Sequence, residues 1–436
     1  MGWAWAYLAV SVVGALFVVN AYTPLRSGPV SVLSFFGGWI TGELPLHNIF
    51  WQAVATAVFG VFGAFGSWPG WLGLAITFVA WAGLLGLHRE GRRAFESVDA
   101  ALDGLFAGAA SDVPSTEEIE ADIPWTDTMW KAWRLVWPIA QTARTFEAIR
   151  NVDYWGDGIK AHRLDIIRRR GDRPSNAPVF VYVHGGAWII GDKREQGFPL
   201  MLELARRGFV CVTINYRLSP KGTWPDHIVD CKKALAWVHS HIGEYGGDPR
   251  FVAVSGGSAG GHLAALLALT QGDPAFQPGF EDADTAVSVC VPVYGVYDMT
   301  CTGSPGDRRY VTSYNKGLLH LLERRVFKTT LAADRKVFED ASPLARVNAG
   351  APPFFVIHGA NDTLVPVSEA RRFVKALGSA SGSVVAYAEL PRTQHAFDVM
   401  ASARPAHVIA GIVRFVEGVR KGSVTGAGRQ AIPEKS

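Results

Sequence analysis

Only two of the first 87 residues carry a charge, Arg26 and Glu43. This is the strongest constraint on the fold, because a stretch so poor in charge has little with which to dress a surface for water. Trp3 to Tyr22 is an apolar run long enough to cross a bilayer as a helix. Ile49 to Gly66 and Trp71 to Leu87 are shorter runs joined by the turn Ser67-Trp68-Pro69-Gly70, and they read as a tight hairpin of spans. Val30 to Ile40 is too short to span and reads as an interfacial or re-entrant piece. A cleaved signal peptide needs a basic start and a small-residue cleavage site. Nothing basic precedes Trp3, and Asn20-Ala21-Tyr22-Thr23-Pro24 makes a poor cleavage site, so the first run is read as an anchor.

Basic residues then set the orientation. Arg26 follows the first run and Arg89, Arg92 and Arg93 follow the third, whereas the turn at 67–70 has none. Three spans with the basic loops inside predict a multi-pass cell-membrane protein with its N-terminus outside and residues 88–436 in the cytoplasm.

Elsewhere the composition is that of a globular protein. With 42 Lys and Arg against 39 Asp and Glu, the net charge of +3 offers no field for nucleic acid. A charged fraction of 19%, a mean hydropathy of +0.14 and fifteen Trp exclude a disordered chain. Cys211, Cys231, Cys290 and Cys301 have neither metal-ligand spacing nor the density of a disulfide framework, and are expected as reduced, mostly buried thiols. There is no internal repeat.

The expected organisation is a membrane region over 1–90 with about three transmembrane helices, then amphipathic linker or cap helices over 91–148. A catalytic domain over 149–425 follows, with a small cap insertion near 300–340, and then a flexible tail over 426–436. In the second segment Pro114, Ser115, Thr116 and the pair Glu117-Glu118 read as a linker with a helix start. Trp125, Trp130, Trp133 and Trp137 follow, mixed with Lys131 and Arg134. Such a helix lies on the membrane surface, covers an apolar pocket, or packs on the next domain.

From about 149 onward strands and helices alternate. Short apolar runs at Val179–Val183, Phe209–Ile214, Phe251–Val254, Ala286–Val291 and Phe354–Ile357 read as strands buried on both faces. Helical segments fall at 195–207, 226–242, 259–270 and 367–377. This alternation predicts an α/β domain, a mostly parallel sheet with helices on both faces, whose chemistry gathers where the strands end.

Three strand ends carry that chemistry. After Phe251–Val254 comes Ser255-Gly256-Gly257-Ser258-Ala259-Gly260-Gly261 and then a helical run, a G-x-S-x-G elbow that lifts the Ser258 hydroxyl above the sheet. It has neither a Walker ending nor a dinucleotide turn. After Val183 comes His184-Gly185-Gly186-Ala187-Trp188, where glycines bring backbone N–H groups close to a substrate carbonyl. Gly185, Gly186 and Ala187, with the Ala259 N–H at a helix start, are the expected oxyanion donors. After Phe354–Ile357 comes His358-Gly359-Ala360-Asn361-Asp362, and the strand-like 383–390 is followed by Pro391-Arg392-Thr393-Gln394-His395. Chain order Ser, Asp, His assigns Asp362 as the acid and His395 as the base. Among the alternatives, His184 and His358 read as loop braces, and His262 as packing behind the elbow. Asp230 reads as bonding to neighbouring backbone, and Asp298 either binds substrate or caps.

Together these residues resemble the hormone-sensitive-lipase-like family of α/β-hydrolases, in its membrane-associated actinobacterial and mycobacterial lipase/esterase subset. The likeness covers about 150–420. It rests on H-G-G-A-W at 184–188, Tyr216-Arg217-Leu218-Ser219-Pro220 with Trp224-Pro225, G-G-S-A-G-G at 256–261, H-G-A-N-D at 358–362 and His395-Ala396-Phe397. The resemblance implies a Ser258–Asp362–His395 triad hydrolysing carboxylic esters, with no cofactor and no metal. Where this family usually has a third glycine, the chain has Ala187, whose methyl narrows the pocket. H-G-G-x-W also occurs in formamidases, which keeps an arylformamidase-like amidase open beside an acyltransferase, and a non-catalytic membrane-bound binding scaffold is the third alternative. The expected partners are a small-molecule ester or lipid substrate and the bilayer, with no nucleic acid. The sequence is silent on oligomeric state.

Overall fold

The computed structural model describes residues 2–26, 30–106, 113–123, 145–171, 174–302, 308–400 and 402–424. The tryptophan-rich stretch from Trp125 to Trp137 and the tail at 426–436 lie outside them.

The front of the chain is helical: α1 (Gly2–Tyr22), α2 (Val30–Glu43), α3 (Pro45–Val61) and α4 (Trp68–Arg92). Trp3 stacks on Phe62 at the far end of α3, so α1 and α3 are antiparallel. Trp5 meets Trp68, while Tyr22 Oη donates to Gly83 O, so α1 and α4 run parallel. Two parallel helices consecutive in a bundle need a return path, and α3 provides it. Two helices, α1 and α4 with its continuation to Leu102, are long and apolar enough to cross a membrane; α2 and α3 form a pair bent by 93°. Pro45 at the start of α3 marks that bend, since proline is favoured in a first helical turn and stops the helix before it.

Beyond α5 (Ala94–Leu102) and α6 (Thr116–Ala121) the chain builds one eight-stranded sheet in the order β1-β2-β4-β3-β5-β6-β7-β8. The strands are β1 (Phe146–Asp153), β2 (Arg163–Arg169), β3 (Ala177–Val183), β4 (Val210–Ile214), β5 (Gly247–Gly257), β6 (Val289–Val293), β7 (Phe354–Gly359) and β8 (Val385–Leu390). Pairing is parallel from β4 through β8, whereas β2 is antiparallel to both β1 and β4. The helices are α7 (Phe198–Arg206), α8 (Asp226–His241), α9 (Ala259–Leu269), α10 (Arg308–Leu321), α11 (Arg335–Asp340), α12 (Val367–Ala380) and α13 (Ala403–Arg420). Alternate residues of β3 show why its strand reads as a continuous apolar run. Val179, Val181 and Val183 enter the core under α8, α9 and α12, while Phe180 and Tyr182 enter the one under α7 and α13.

Two features lie beyond what the apolar pattern marked. The sheet begins at Phe146 and includes β1 and β2, which apolar-run reading passed over because their outward positions are charged: Arg150, Arg163, Arg168 and Arg169. Within 91–148, Ala94, Val98, Leu102, Ile119 and Ile123 are buried in the core beside α13. The helix start there is as expected, with Ser115 and Glu118 forming a capping box on α6.

Candidate active site

Ser258 sits between β5 and α9 with φ +57 and ψ −121, a conformation L residues seldom adopt. Its amide is held by Val293 O at 3.0 Å. The flanking glycines are required by contact. A Cβ at Gly256 would lie 2.5 Å from Val183 O, and one at Gly260 would lie 2.1 Å from the same oxygen. The elbow is thus wedged against the end of β3.

The loop after β3 stands beside it. Gly186 has φ +116 and Ala187 φ +52. Among the described residues the amides of Gly186, Ala187 and Ala259 donate to no protein acceptor. Gly185 departs from expectation: its N–H donates to Gln196 Oε1 at 2.8 Å. That amide is spent on bracing the loop, which leaves three of the four expected oxyanion donors.

Asp362 follows β7. Its Oδ1 accepts from the amides of Leu364 and Val365, each at 2.8 Å, and its Oδ2 lies 2.6 Å from His395 Nδ1 and 3.3 Å from His358 Nε2. Burial would raise this carboxyl, but the two imidazoles and their hydrogen bonds outweigh it and hold it well below the usual carboxylate range. The His395 ring stands against Tyr294, centroids 4.4 Å apart. Gln394 ties the two loops together, its Oε1 accepting from the Thr363 amide at 3.1 Å and the His395 amide at 3.3 Å.

The other candidates do structural work. His184 stacks on Tyr216, whose hydroxyl donates to His184 O at 3.0 Å. His358 Nε2 reaches Val365 O at 3.0 Å. His262 does more than pack: it accepts from Trp188 Nε1 at 3.2 Å and bonds Ala341 O at 2.8 Å, and burial pushes its pKa down to about 3. Asp230 is buried on the Arg217 guanidinium and amide. Asp298 is held by Thr300, Thr302 and Arg372 in a separate polar cleft. All four cysteines are free thiols. Among the described residues no group of three or more His, Cys, Asp or Glu is placed to hold a metal ion.

Ser258 and His395 line one cavity of about 530 Å³, within the range of small-molecule sites. Its walls are mostly apolar: Trp188, Val296, Leu364 and Val365 from the strand-end loops, and Tyr314, Leu318 and Leu321 from α10. Arg26, Ser31 and Val32 also line it. Sequence reading assigned no role in the site to these last three. No local pattern marks them, because the other residues lining the cavity lie more than 150 positions away.

Comparison with known proteins adds to this geometry. The family described as BD-FAE matches residues 164–377. The probable carboxylic ester hydrolase LipM of Mycobacterium tuberculosis (strain ATCC 25618 / H37Rv) is 44% identical over 423 residues, 94% of this chain and 92% of that protein. Coverage this complete takes in the apolar front. Esterase LipQ of the same organism is 45% identical over 62% of this chain and 64% of its own. Among solved structures, esterase B from Lactobacillus rhamnosis superposes with a TM-score of 0.52 at 19% identity, covering 70% of this chain and 96% of that one. Butyrate-bound Est2 of Thermogutta terrifontis gives 0.51 at 23%, covering 66% and 98%.

Proposed function

The chain belongs to the hormone-sensitive-lipase-like carboxylic ester hydrolases of the α/β-hydrolase fold, and from that premise we propose that Ser258, His395 and Asp362 carry its ester hydrolysis. The observation that carries the reading is a shared cavity: a strained Ser258 faces the same space as an imidazole whose other side is fixed on a buried carboxylate. With Nδ1 bonded to Asp362, His395 has Nε2 left to take the Ser258 proton as Oγ attacks the ester carbonyl. Asp362 stays ionised and stabilises the imidazolium. The N–H groups of Gly186, Ala187 and Ala259 receive the oxyanion, each such donor being worth about 3 kcal/mol in a dry site. His395 then gives its proton to the leaving alcohol, and a water it activates releases the acid from the acyl-serine. The names of the relatives favour the ester over amide hydrolysis or acyl transfer.

The substrates are apolar or lipid esters, in keeping with the aliphatic and aromatic walls of the cavity, and α10 serves as the cap. The front is the membrane region, crossing three times as α1, α3 and α4 with α2 along the interface. Parallel α1 and α4 joined through α3 support that count, which puts the two chain ends on opposite sides and, by the basic residues, the sheet domain in the cytoplasm.

The test is an assay of detergent-solubilised protein on p-nitrophenyl esters of increasing acyl length, beside Ser258→Ala. Turnover lost in the variant, with fluorophosphonate labelling lost too, is the expected result. Turnover retained by Ser258→Ala would end the reading. A cytoplasmic reporter fused after Ser436 is expected to be active, and activity of a periplasm-only reporter there would reverse the topology.

A further inference from the structure

The loops bearing Asp362 and His395 are gripped from outside the sheet domain. Arg26 donates to Ala360 O at 3.2 Å and to Asn361 Oδ1 at 3.1 Å, directly before Asp362. Trp39 Nε1 donates to Ala396 O at 2.9 Å, directly after His395. Ala396 holds φ +55, a conformation costly for alanine that persists only where its surroundings dictate it. Phe35 is buried and stands edge-on to the His395 imidazole, ring centroids 6.3 Å apart at 73°. Gly38, on the same face of α2, leaves room for Gln394, whose amide nitrogen would lie 3.4 Å from a Cβ placed there. At the end of α2, buried Glu43 pairs with Arg404 and accepts from Ser402 Oγ at 2.8 Å, fastening the helix to the start of α13.

We propose that Trp39 and Phe35 are positioning residues for His395, which makes α2 of the apolar front a working part of the ester-hydrolysing site. The proposal rests on the triad reading above. A general base must be held to a fraction of an ångström and about 10–20°. The His395 backbone has a fixed amide on its N-terminal side, through Gln394, but on its C-terminal side the carbonyl of Ala396 is bound by the Trp39 indole. The Phe35 ring edge limits rotation of the imidazole about its bond to the backbone. Loss of either contact leaves the pocket walls in place and loosens the base.

The test uses the full chain in detergent, with active molecules counted by end-point fluorophosphonate titration so that misfolded protein is excluded. Trp39→Phe keeps an aromatic ring and removes the indole N–H; Phe35→Leu keeps apolar bulk and removes the ring edge. On a short p-nitrophenyl ester, kcat per titrated site is expected to fall about tenfold in each, with KM within about twofold of wild type. Trp51→Phe, on the exposed side of α3, is expected to match wild type. Wild-type kcat in both variants overturns the proposal, and so does a raised KM at unchanged kcat, which would assign α2 to substrate binding instead. Ser258→Ala and His395→Ala run alongside. If they are inactive while the α2 variants are unimpaired, only the positioning role falls; if they remain active, the triad reading falls and takes this proposal with it.

Discussion

The helical front and the sheet domain differ most in what they leave exposed. In the sheet domain the apolar core is mainly Val, Ile, Leu, Ala and Phe, and buried polar groups such as Asp230, Asp298 and Glu369 are each held in hydrogen bonds. In the front, Ser11, Ser34, Thr41 and Thr77 are buried, and Tyr7 Oη shares hydrogen bonds with Thr56 Oγ1 at 2.9 Å and Thr77 Oγ1 at 3.2 Å. Among the described residues, every large apolar side chain that stands exposed lies between Trp3 and Leu85, except Ile159 and Ile190. Water drives apolar groups inward, whereas hydrocarbon gives helices no such reason to associate and leaves the joining to small residues and hydrogen bonds. The exposed apolar surface of the front is what its proposed membrane insertion requires.

The largest expected effect belongs to the sheet domain and leaves the comparison untouched. Ser258→Ala should lower kcat by about 10⁵- to 10⁶-fold with Tm nearly unchanged, and a large drop in Tm would make Ser258 a structural residue. The next is aimed at the comparison itself. Val79 is 73% exposed in the front and Ile159 is 49% exposed in the sheet domain. If the front faces lipid, Val79→Lys should cost about 3 kcal/mol of insertion, read as chain lost from the membrane fraction, while Ile159→Lys should stay within about 0.5 kcal/mol. Equal tolerance of both would mean that the two regions face the same solvent.

Buried polar groups sharpen the contrast further. Glu369 accepts from the amides of Tyr297 and Asp298, yet burial, with the nearby Asp298 charge, pushes its pKa up to about 7. A carboxyl whose folded pKa lies above the ordinary 4.5 contributes stability fully below that value and loses it as pH rises through about 7. Tm should thus carry a falling component over that window, and Glu369→Gln, which keeps an acceptor, should remove it. An unchanged slope in Glu369→Gln would place the titration elsewhere. Smallest is Tyr7→Phe, expected to destabilise the front by about 0.6 kcal/mol, the usual worth of a hydrogen bond between helices in a membrane. A loss of several times that size, in an unfolding assay in detergent, would mean the front packs by the rules of a water-soluble core.

Much of the candidate site was legible in the sequence because its parts are local. The elbow around Ser258 is a steric statement about five residues, and the strand ahead of it and helix behind it are apolar patterns of the same reach. Asp362 and His395 were legible in the same way, from their places after β7 and β8. What escaped is instructive. β1, at the sheet edge, and β2 beside it looked unlike strands because Arg150 in the one and Arg163, Arg168 and Arg169 in the other break up their apolar positions. Gly185 looked like an oxyanion donor, and nothing near it in the chain announces that Gln196 takes its amide. The amphipathic helices α5 and α6 showed an apolar stripe but not which surface it would meet, and that surface is α13.

The sequence by itself determined which residue types stand at each strand end and where the charge-poor apolar stretch falls, since turn sterics and hydrophobic pattern act within a few residues of one another. Only the tertiary structure decided that Arg26, Val32, Phe35 and Trp39 stand at the site. Those meetings join residues as much as 357 positions apart. At such separations the contact is set by how finished surfaces fit, and no short stretch of sequence carries that information.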